Sequence, residues 1–203
     1  MKFRLPLLAA CAAALLTAVS VQAAVIRYEA SLTPEVSGAT GSGFVTVDYD
    51  TLAKALLISA DWSGLSGTTT VAHIHCCTAT PGTGTAGVAV TPGTLPNFPT
   101  GLSTGSYDIA IDLGSAAAYT PGFITNFAGG DLDNADDALI AAFDAGTAYF
   151  NIHTNLFPAG EIRGFLQRQA QAVPEPASWM LLAPALALLV RAGGRRRRGG
   201  VAA

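Results

Sequence analysis

Basic side chains are scarce in the middle of this 203-residue chain. Residues 24–172 hold thirteen acidic residues against four basic ones, a balance of −9, although the whole chain carries −3. Nucleic-acid binding needs a basic face, so this composition excludes nucleic acid as a partner. Cations, or an anionic polymer bridged by cations, suit such a segment better.

The sequence gives little support for an enzymatic role. The chain has no phosphate-binding loop of the Gly-x-x-x-x-Gly-Lys type. A cysteine nucleophile would have to be Cys76 or Cys77, beside His75. Neighbouring residues of a strand point to opposite faces, so His75 and Cys76 would diverge. We therefore predict that the protein is not an enzyme.

Cysteine is rare, with three residues in the chain. Cys11 lies in the apolar N-terminal run, which leaves Cys76 and Cys77 as neighbours. An oxidising compartment normally pairs cysteines across a fold, which adjacent residues cannot do with each other. A strained vicinal disulfide, two free thiols, a metal site and intermolecular bonds all remain open.

The N-terminus has the organisation of a secretory signal peptide. Lys2 and Arg4 precede an apolar run from Leu5 to Val21, and Val21-Gln22-Ala23 places small residues at the −3 and −1 positions. This pattern predicts that residues 1–23 are removed by cleavage after Ala23, and that the domain of residues 24–172 is exported.

The C-terminus, residues 173–203, has three parts. Pro174-Glu175-Pro176 is followed by an uncharged segment, residues 177–190, and by an arginine-rich end, residues 191–198, with the run Arg195, Arg196, Arg197 and Arg198. A 14-residue helix spans about 21 Å, less than the ~30 Å hydrocarbon core, so the segment predicts a marginal membrane anchor. The arginines should stay cytoplasmic, which also places the domain outside.

These three parts resemble the PEP-CTERM sorting signal. The resemblance implies processing by an exosortase in a Gram-negative bacterium that makes exopolysaccharide. It further implies an inner-membrane intermediate, followed by release to the cell surface or extracellular matrix. An ordinary tail anchor is the alternative.

Strand patterns dominate residues 24–172. Apolar alternation over Gly43–Tyr49, Ala55–Trp62, Val71–His75 and Tyr107–Leu113 predicts strands, and Thr147–His153 and Glu161–Gln167 predict a hairpin. One helix is expected after Asp133 or Asn134, stopped by Gly146. The expected fold is mainly β, an antiparallel sandwich or Greek-key barrel with one short helix.

All three histidines of the chain fall in two of these strands. His73 and His75 alternate and therefore share a face, and His153 lies on another strand. A His-x-His pair with a third histidine is one way to build a Zn or Cu site. The sequence does not show whether the two strands are neighbours, and the fourth ligand stays open between Glu161 and a cysteine. Alternatively, the histidines bond to backbone or to Glu161 and Arg163.

The same segments resemble the CHRD domain. The resemblance rests on His73-Ile74-His75, the helix, and Ala148–Thr154 leading to Gly160-Glu161-Ile162-Arg163-Gly164, and it extends from about Val25 to Gln167. Cys76-Cys77 replaces the Gly-Pro-like turn of many members. The resemblance implies a β-rich binding or scaffold domain.

Two functional hypotheses follow. The first is a non-catalytic surface or matrix protein that binds exopolysaccharide or another surface component. The second is an exported Cu or Zn protein, with a redox role as one form of it, that uses His73, His75 and His153.

Overall fold

The computed structural model of the protein describes residues 24–170. The predicted signal peptide with its cleavage after Ala23 lies outside this range. So does the predicted sorting tail with Pro174, Glu175, Pro176 and Arg195–Arg198. No helix within the described residues is long and apolar enough to span a membrane.

Alternating apolar residues form nine antiparallel strands. Their bounds are β1 Val25–Pro34, β2 Ser42–Asp50, β3 Ala55–Ser63, β4 Thr69–His75, β5 Val88–Val90, β6 Gly105–Asp112, β7 Tyr149–Thr154, β8 Ile162–Phe165 and β9 Gln167–Arg168. Eight strands follow the order β5-β4-β7-β8-β1-β2-β3-β6, and β9 pairs with β1. The end strands β5 and β6 do not pair with each other, so the sheet is a curled, open half-barrel.

Two short helices accompany the sheet, where the sequence predicts one. The expected helix is α2, Ala135–Asp144, which follows Asn134 and ends just before Gly146, at φ +65°. The other is α1, Pro121–Phe127. Thr120 caps α1 by accepting a hydrogen bond from the Phe123 N–H, and Pro121 occupies the first turn. This helix is only seven residues long, so its pattern in the sequence is weak.

The core fills the inner face of the sheet. On β2 the alternation buries Val45, Val47 and Tyr49. On β6 Tyr107 and Ile111 face inward and Asp108 and Asp112 face solvent, as the pattern predicts. The largest fully buried side chains are Trp62, Tyr28, Tyr119, Phe123, Phe143 and Phe150. The prediction of a mainly β, antiparallel fold is confirmed.

Two strands, β1 and β5, have no counterpart in the sequence prediction, and β9 begins at the end of the predicted Glu161–Gln167 strand, which the structure divides. The buried residues of β1 are Tyr28, Ala30 and Leu32, and the small side chain of alanine weakens this pattern. The strand also begins directly after the predicted signal peptide. Strand β5 has only three residues and lies in a segment rich in glycine, proline and threonine. Both segments are stabilised as strands by pairing with their neighbours, although their local sequence patterns are weak.

Candidate metal centre

The three histidines converge because their strands are neighbours. Strand β4 pairs with β7 antiparallel, with Val71 opposite His153 and His75 opposite Tyr149. His73, His75 and His153 therefore project from one face of this pair. One ring nitrogen of each lies within 4.8 Å of the others. The structure thus brings together three residues that the sequence singled out on two separate strands.

Each imidazole is held by a backbone carbonyl. His73 Nε2 lies 2.9 Å from the Gly93 oxygen, His75 Nδ1 lies 2.8 Å from the Ala86 oxygen, and His153 Nδ1 lies 2.9 Å from the Pro158 oxygen. A carbonyl oxygen only accepts, so each of these ring nitrogens donates its N–H. In the neutral rings the bare nitrogens are then His73 Nδ1, His75 Nε2 and His153 Nε2.

Two of these bare nitrogens face each other closely. His73 Nδ1 lies 3.1 Å from His153 Nε2, so two lone pairs are opposed unless a proton or a cation lies between them. His75 Nε2 is buried and has no hydrogen-bond partner among the described residues. A buried nitrogen lone pair without a donor lowers the stability of the fold, and a metal ion bound by all three nitrogens would remove this cost.

Burial disfavours a proton on two of the three rings. Burial lowers the pKa of His75 to about 4, against the opposing hydrogen bond with the Ala86 carbonyl. Burial likewise lowers the pKa of His73. These two rings therefore favour the neutral form at neutral pH, which is the form that binds a metal.

The spacing of the His73–His153 pair fits two ligands of one small transition-metal ion, whereas the full set of three, within 4.8 Å, must draw closer to bind it. Two nitrogens bound to zinc at ~2.0–2.1 Å in tetrahedral geometry lie about 3.3 Å apart. The His73–His153 separation of 3.1 Å is close to that value. Three protein ligands leave a fourth position for water or a substrate, as in catalytic zinc sites.

A second layer of side chains packs behind His75. The Tyr149 ring stacks on His75 with centroids 4.8 Å apart, and the Arg163 guanidinium lies 5.0 Å from the centre of the Tyr149 ring. Arg163 also pairs with Glu35 at 3.3 Å. Glu35 accepts a hydrogen bond from the Asn151 amide at 2.7 Å. The Asn151 side-chain oxygen is buried without a partner among the described residues.

Glu161 does not join the histidines. Its side chain is fully buried, and its carboxylate accepts hydrogen bonds from the backbone N–H groups of Ser66 and Gly67 and from the Thr154 hydroxyl. Arg163 forms its ion pair with Glu35 rather than with its neighbour on the hairpin, Glu161. The structure thus directs Glu161 to the loop before β4 and not to the proposed fourth ligand position.

Cys76 and Cys77 form a vicinal disulfide. Of the four states that the sequence left open, the structure has this one, and neither sulfur belongs to the histidine cluster. The disulfide borders a pocket of about 280 Å³ together with residues of β5 and α1. A larger groove, of about 570 Å³, lies on the outer face of the sheet, where Arg27 is already paired bidentately with Asp48.

A nucleophile elbow is excluded by position. Gly101-Leu102-Ser103-Thr104-Gly105 has the Gly-x-Ser-x-Gly spacing, but it runs from a loop directly into strand β6. An elbow needs a strand before the serine and a helix after it. The segment around Ser103 therefore has the glycine spacing of the hydrolase motif but lacks the strand–turn–helix that exposes a nucleophile.

Sequence reasoning missed the groups that orient the histidines. Gly93 and Ala86 lie in the long segment between β4 and β6, and Pro158 lies in the β7–β8 hairpin. They contribute backbone oxygens, which have no residue-type signature. The only signal was the length of the segment between β4 and β6, which is typical of a functional loop.

A family model for the CHRD domain matches residues 22–166, well over half of the chain. The chain belongs to the CHRD domain family. Comparisons with curated proteins and with solved structures found no match. The CHRD match covers the whole histidine cluster and both strands that carry it.

Proposed function

We propose that this CHRD domain binds one transition-metal ion, zinc or copper, through His73, His75 and His153. The observation that carries the proposal is the 3.1 Å approach of two ring nitrogens whose N–H groups are committed elsewhere on each ring. Neutral imidazole suits both Zn and Cu. The carbonyls of Gly93, Ala86 and Pro158 would hold the rings in the tautomers that leave the required lone pairs free.

The proposed role is binding rather than turnover. The carboxylate of Glu35 is engaged by Asn151 and Arg163, and that of Glu161 accepts hydrogen bonds from three donors. Neither is available as a general base in this arrangement. A surface or matrix protein that holds a metal ion, and through it an anionic surface polymer, combines both hypotheses drawn from the sequence.

Metal analysis of the purified protein tests the site. We expect about one equivalent of Zn or Cu per chain after incubation with the ion and desalting, and almost none in a variant with His73, His75 and His153 all changed to alanine. Leu156→Ala, at the exposed tip of the same hairpin, is the matched control and should retain the ion. Equal metal content in the wild type and the triple variant would remove the proposal.

We further propose that the domain works outside the cytoplasm. The proposal is supported by the signal-peptide pattern before Ala24, by the three-part PEP-CTERM-like tail and by the Cys76–Cys77 disulfide, a type of bond that oxidising compartments favour. An exosortase-type enzyme is the processing partner that the tail implies.

Cell fractionation tests this location. The native protein should be found at the cell surface or in the matrix, lacking residues 1–23, and deletion of residues 173–203 should shift it to the periplasm or medium. Recovery of the uncleaved chain from the cytosol would contradict export. An unchanged surface location after the deletion would contradict sorting by the tail.

A further inference from the structure

We propose that the Cys76–Cys77 disulfide is a redox-active site that exchanges with an external dithiol, and that its reduction weakens metal binding at the histidines. The coupling to the metal rests on the proposed function, whereas the exchange reaction does not. Three features support the proposal. The disulfide is accessible from a pocket, Cys76 directly follows His75 in the chain, and one loop forms hydrogen bonds with both His75 and Cys76.

Access is through the pocket beside the disulfide. Cys76 is almost fully buried, while Cys77 is half-buried, so we expect an incoming thiol to approach from the side of Cys77. The pocket wall includes Gly87 and Gly122, and a Cβ added at either glycine would meet nothing within 4 Å. Phe127, at the rim, is 46% exposed. A small dithiol, or the exposed thiol of a protein dithiol, therefore has room to approach.

The loop of residues 84–87 connects the two sites. The Cys76 N–H donates to the Gly87 carbonyl at 3.0 Å, and His75 Nδ1 donates to the adjacent Ala86 carbonyl at 2.8 Å. The Ala86 N–H in turn donates to the Tyr149 hydroxyl at 3.3 Å. Consecutive carbonyls of one loop thus hold the disulfide backbone and the metal-facing imidazole.

The exchange reaction needs no reactant other than the dithiol, which supplies both electrons and both protons. A thiolate of the dithiol attacks Cys77 Sγ, the Cys76–Cys77 bond breaks, and Cys76 leaves as a thiolate that takes up a proton. The second thiol of the reductant then attacks the mixed disulfide and releases Cys77. The protein gains two electrons and two protons, and the dithiol becomes a disulfide.

Reduction should disturb His75 through the backbone. The bond holds the two neighbouring cysteine side chains together, whereas successive side chains of an extended segment point to opposite faces. Once the bond is broken, we expect Cys76 to shift against Gly87 and to loosen the Ala86 carbonyl from His75. Loss of such an outer partner of a metal-binding histidine typically costs 10–100-fold in affinity.

The test uses the full-length chain in detergent with Cys11→Ser, so that Cys76 and Cys77 are the only cysteines. Folded protein is treated with dithiothreitol, desalted without oxygen and divided for thiol counting and Zn²⁺ titration. We expect thiols to rise from none to two per chain and the dissociation constant for Zn²⁺ to rise 10–100-fold. A Cys76→Ser, Cys77→Ser variant should bind Zn²⁺ as weakly as the reduced protein and should not respond to dithiothreitol.

Each part of the proposal can be overturned separately. No thiols after treatment of the folded protein would remove the exchange reaction. Two thiols with unchanged Zn²⁺ affinity would remove the coupling alone. Tighter binding in the reduced protein, absent from the serine variant, would make the thiolates ligands and overturn the coupling. A lack of Zn²⁺ binding in the oxidised protein would remove the metal site, and with it the coupling, while the thiol count still decides the exchange.

Discussion

Saturation with Zn²⁺ should increase the free energy of unfolding by about 4 kcal/mol when the free ion exceeds its dissociation constant about a thousand-fold. The reason is that the site exists only in the folded chain. His73 and His153 are 80 residues apart in sequence and meet only when β4 pairs with β7. Denaturant unfolding with Zn²⁺, and with a chelator, measures the increase.

His153→Ala should abolish nearly all of this increase. The variant loses one of three ligands and also the ring that lies 3.1 Å from His73 Nδ1. Without metal, the variant loses the packing of the ring but is also relieved of the repulsion between two opposed lone pairs. Its free energy of unfolding should therefore lie within about 1 kcal/mol of that of the wild type. Leu156→Ala should retain the full increase. A full increase in His153→Ala would show that Zn²⁺ stabilises the fold from another site.

Glu161→Gln should lower the free energy of unfolding by about 3 kcal/mol at pH 7, because charge-assisted hydrogen bonds to a buried carboxylate are lost. Burial pushes the pKa of Glu161 upward, but the hydrogen bonds from Thr154, Ser66 and Gly67 outweigh it and hold the pKa below 4.5. The glutamine amide would also place an N–H donor against the three donors that now bind the carboxylate, from Ser66, Gly67 and Thr154. The loop before β4 would thereby lose its attachment to the β7–β8 hairpin.

The pH dependence of this loss has a definite sign. A carboxyl group whose pKa is lower in the folded state contributes stability above its unfolded pKa, and loses it as the pH falls through the folded pKa. The difference between wild type and Glu161→Gln should therefore be full at pH 6–7 and shrink below about pH 4. Glu29→Gln, the same change on half-buried Glu29 of β1, should alter stability by no more than about 0.5 kcal/mol. A pH-independent difference would show that the charge of Glu161 is not responsible.

The strand pattern of this protein could be predicted because it is local. Alternation in β2, β3 and β6 has one buried and one wet face, and the loop with Pro158 and Gly160 indicated the β7–β8 hairpin that the structure contains. Helix α2 followed from its apolar stripe and from Gly146. Strand β5 and helix α1 are too short for periodicity to reveal them.

The candidate site was predictable only in part. The sequence placed His73 and His75 on one face and His153 on a face of another strand, but it could not tell that the strands pair. It proposed Glu161 as a fourth ligand, whereas the fold directs that carboxylate to Ser66, Gly67 and Thr154. Side-chain type alone does not decide which buried donors a carboxylate will meet.

By itself the sequence determined the mainly β architecture, the acidity of the domain and the short list of candidate metal ligands, because composition and two-residue periodicity are properties of the chain. The tertiary structure alone decided that β4 lies beside β7, that three backbone carbonyls fix the histidine tautomers, and that two of the bare nitrogens face each other. These features depend on contacts between residues far apart in sequence, and such contacts form only when the strands assemble into the curled sheet.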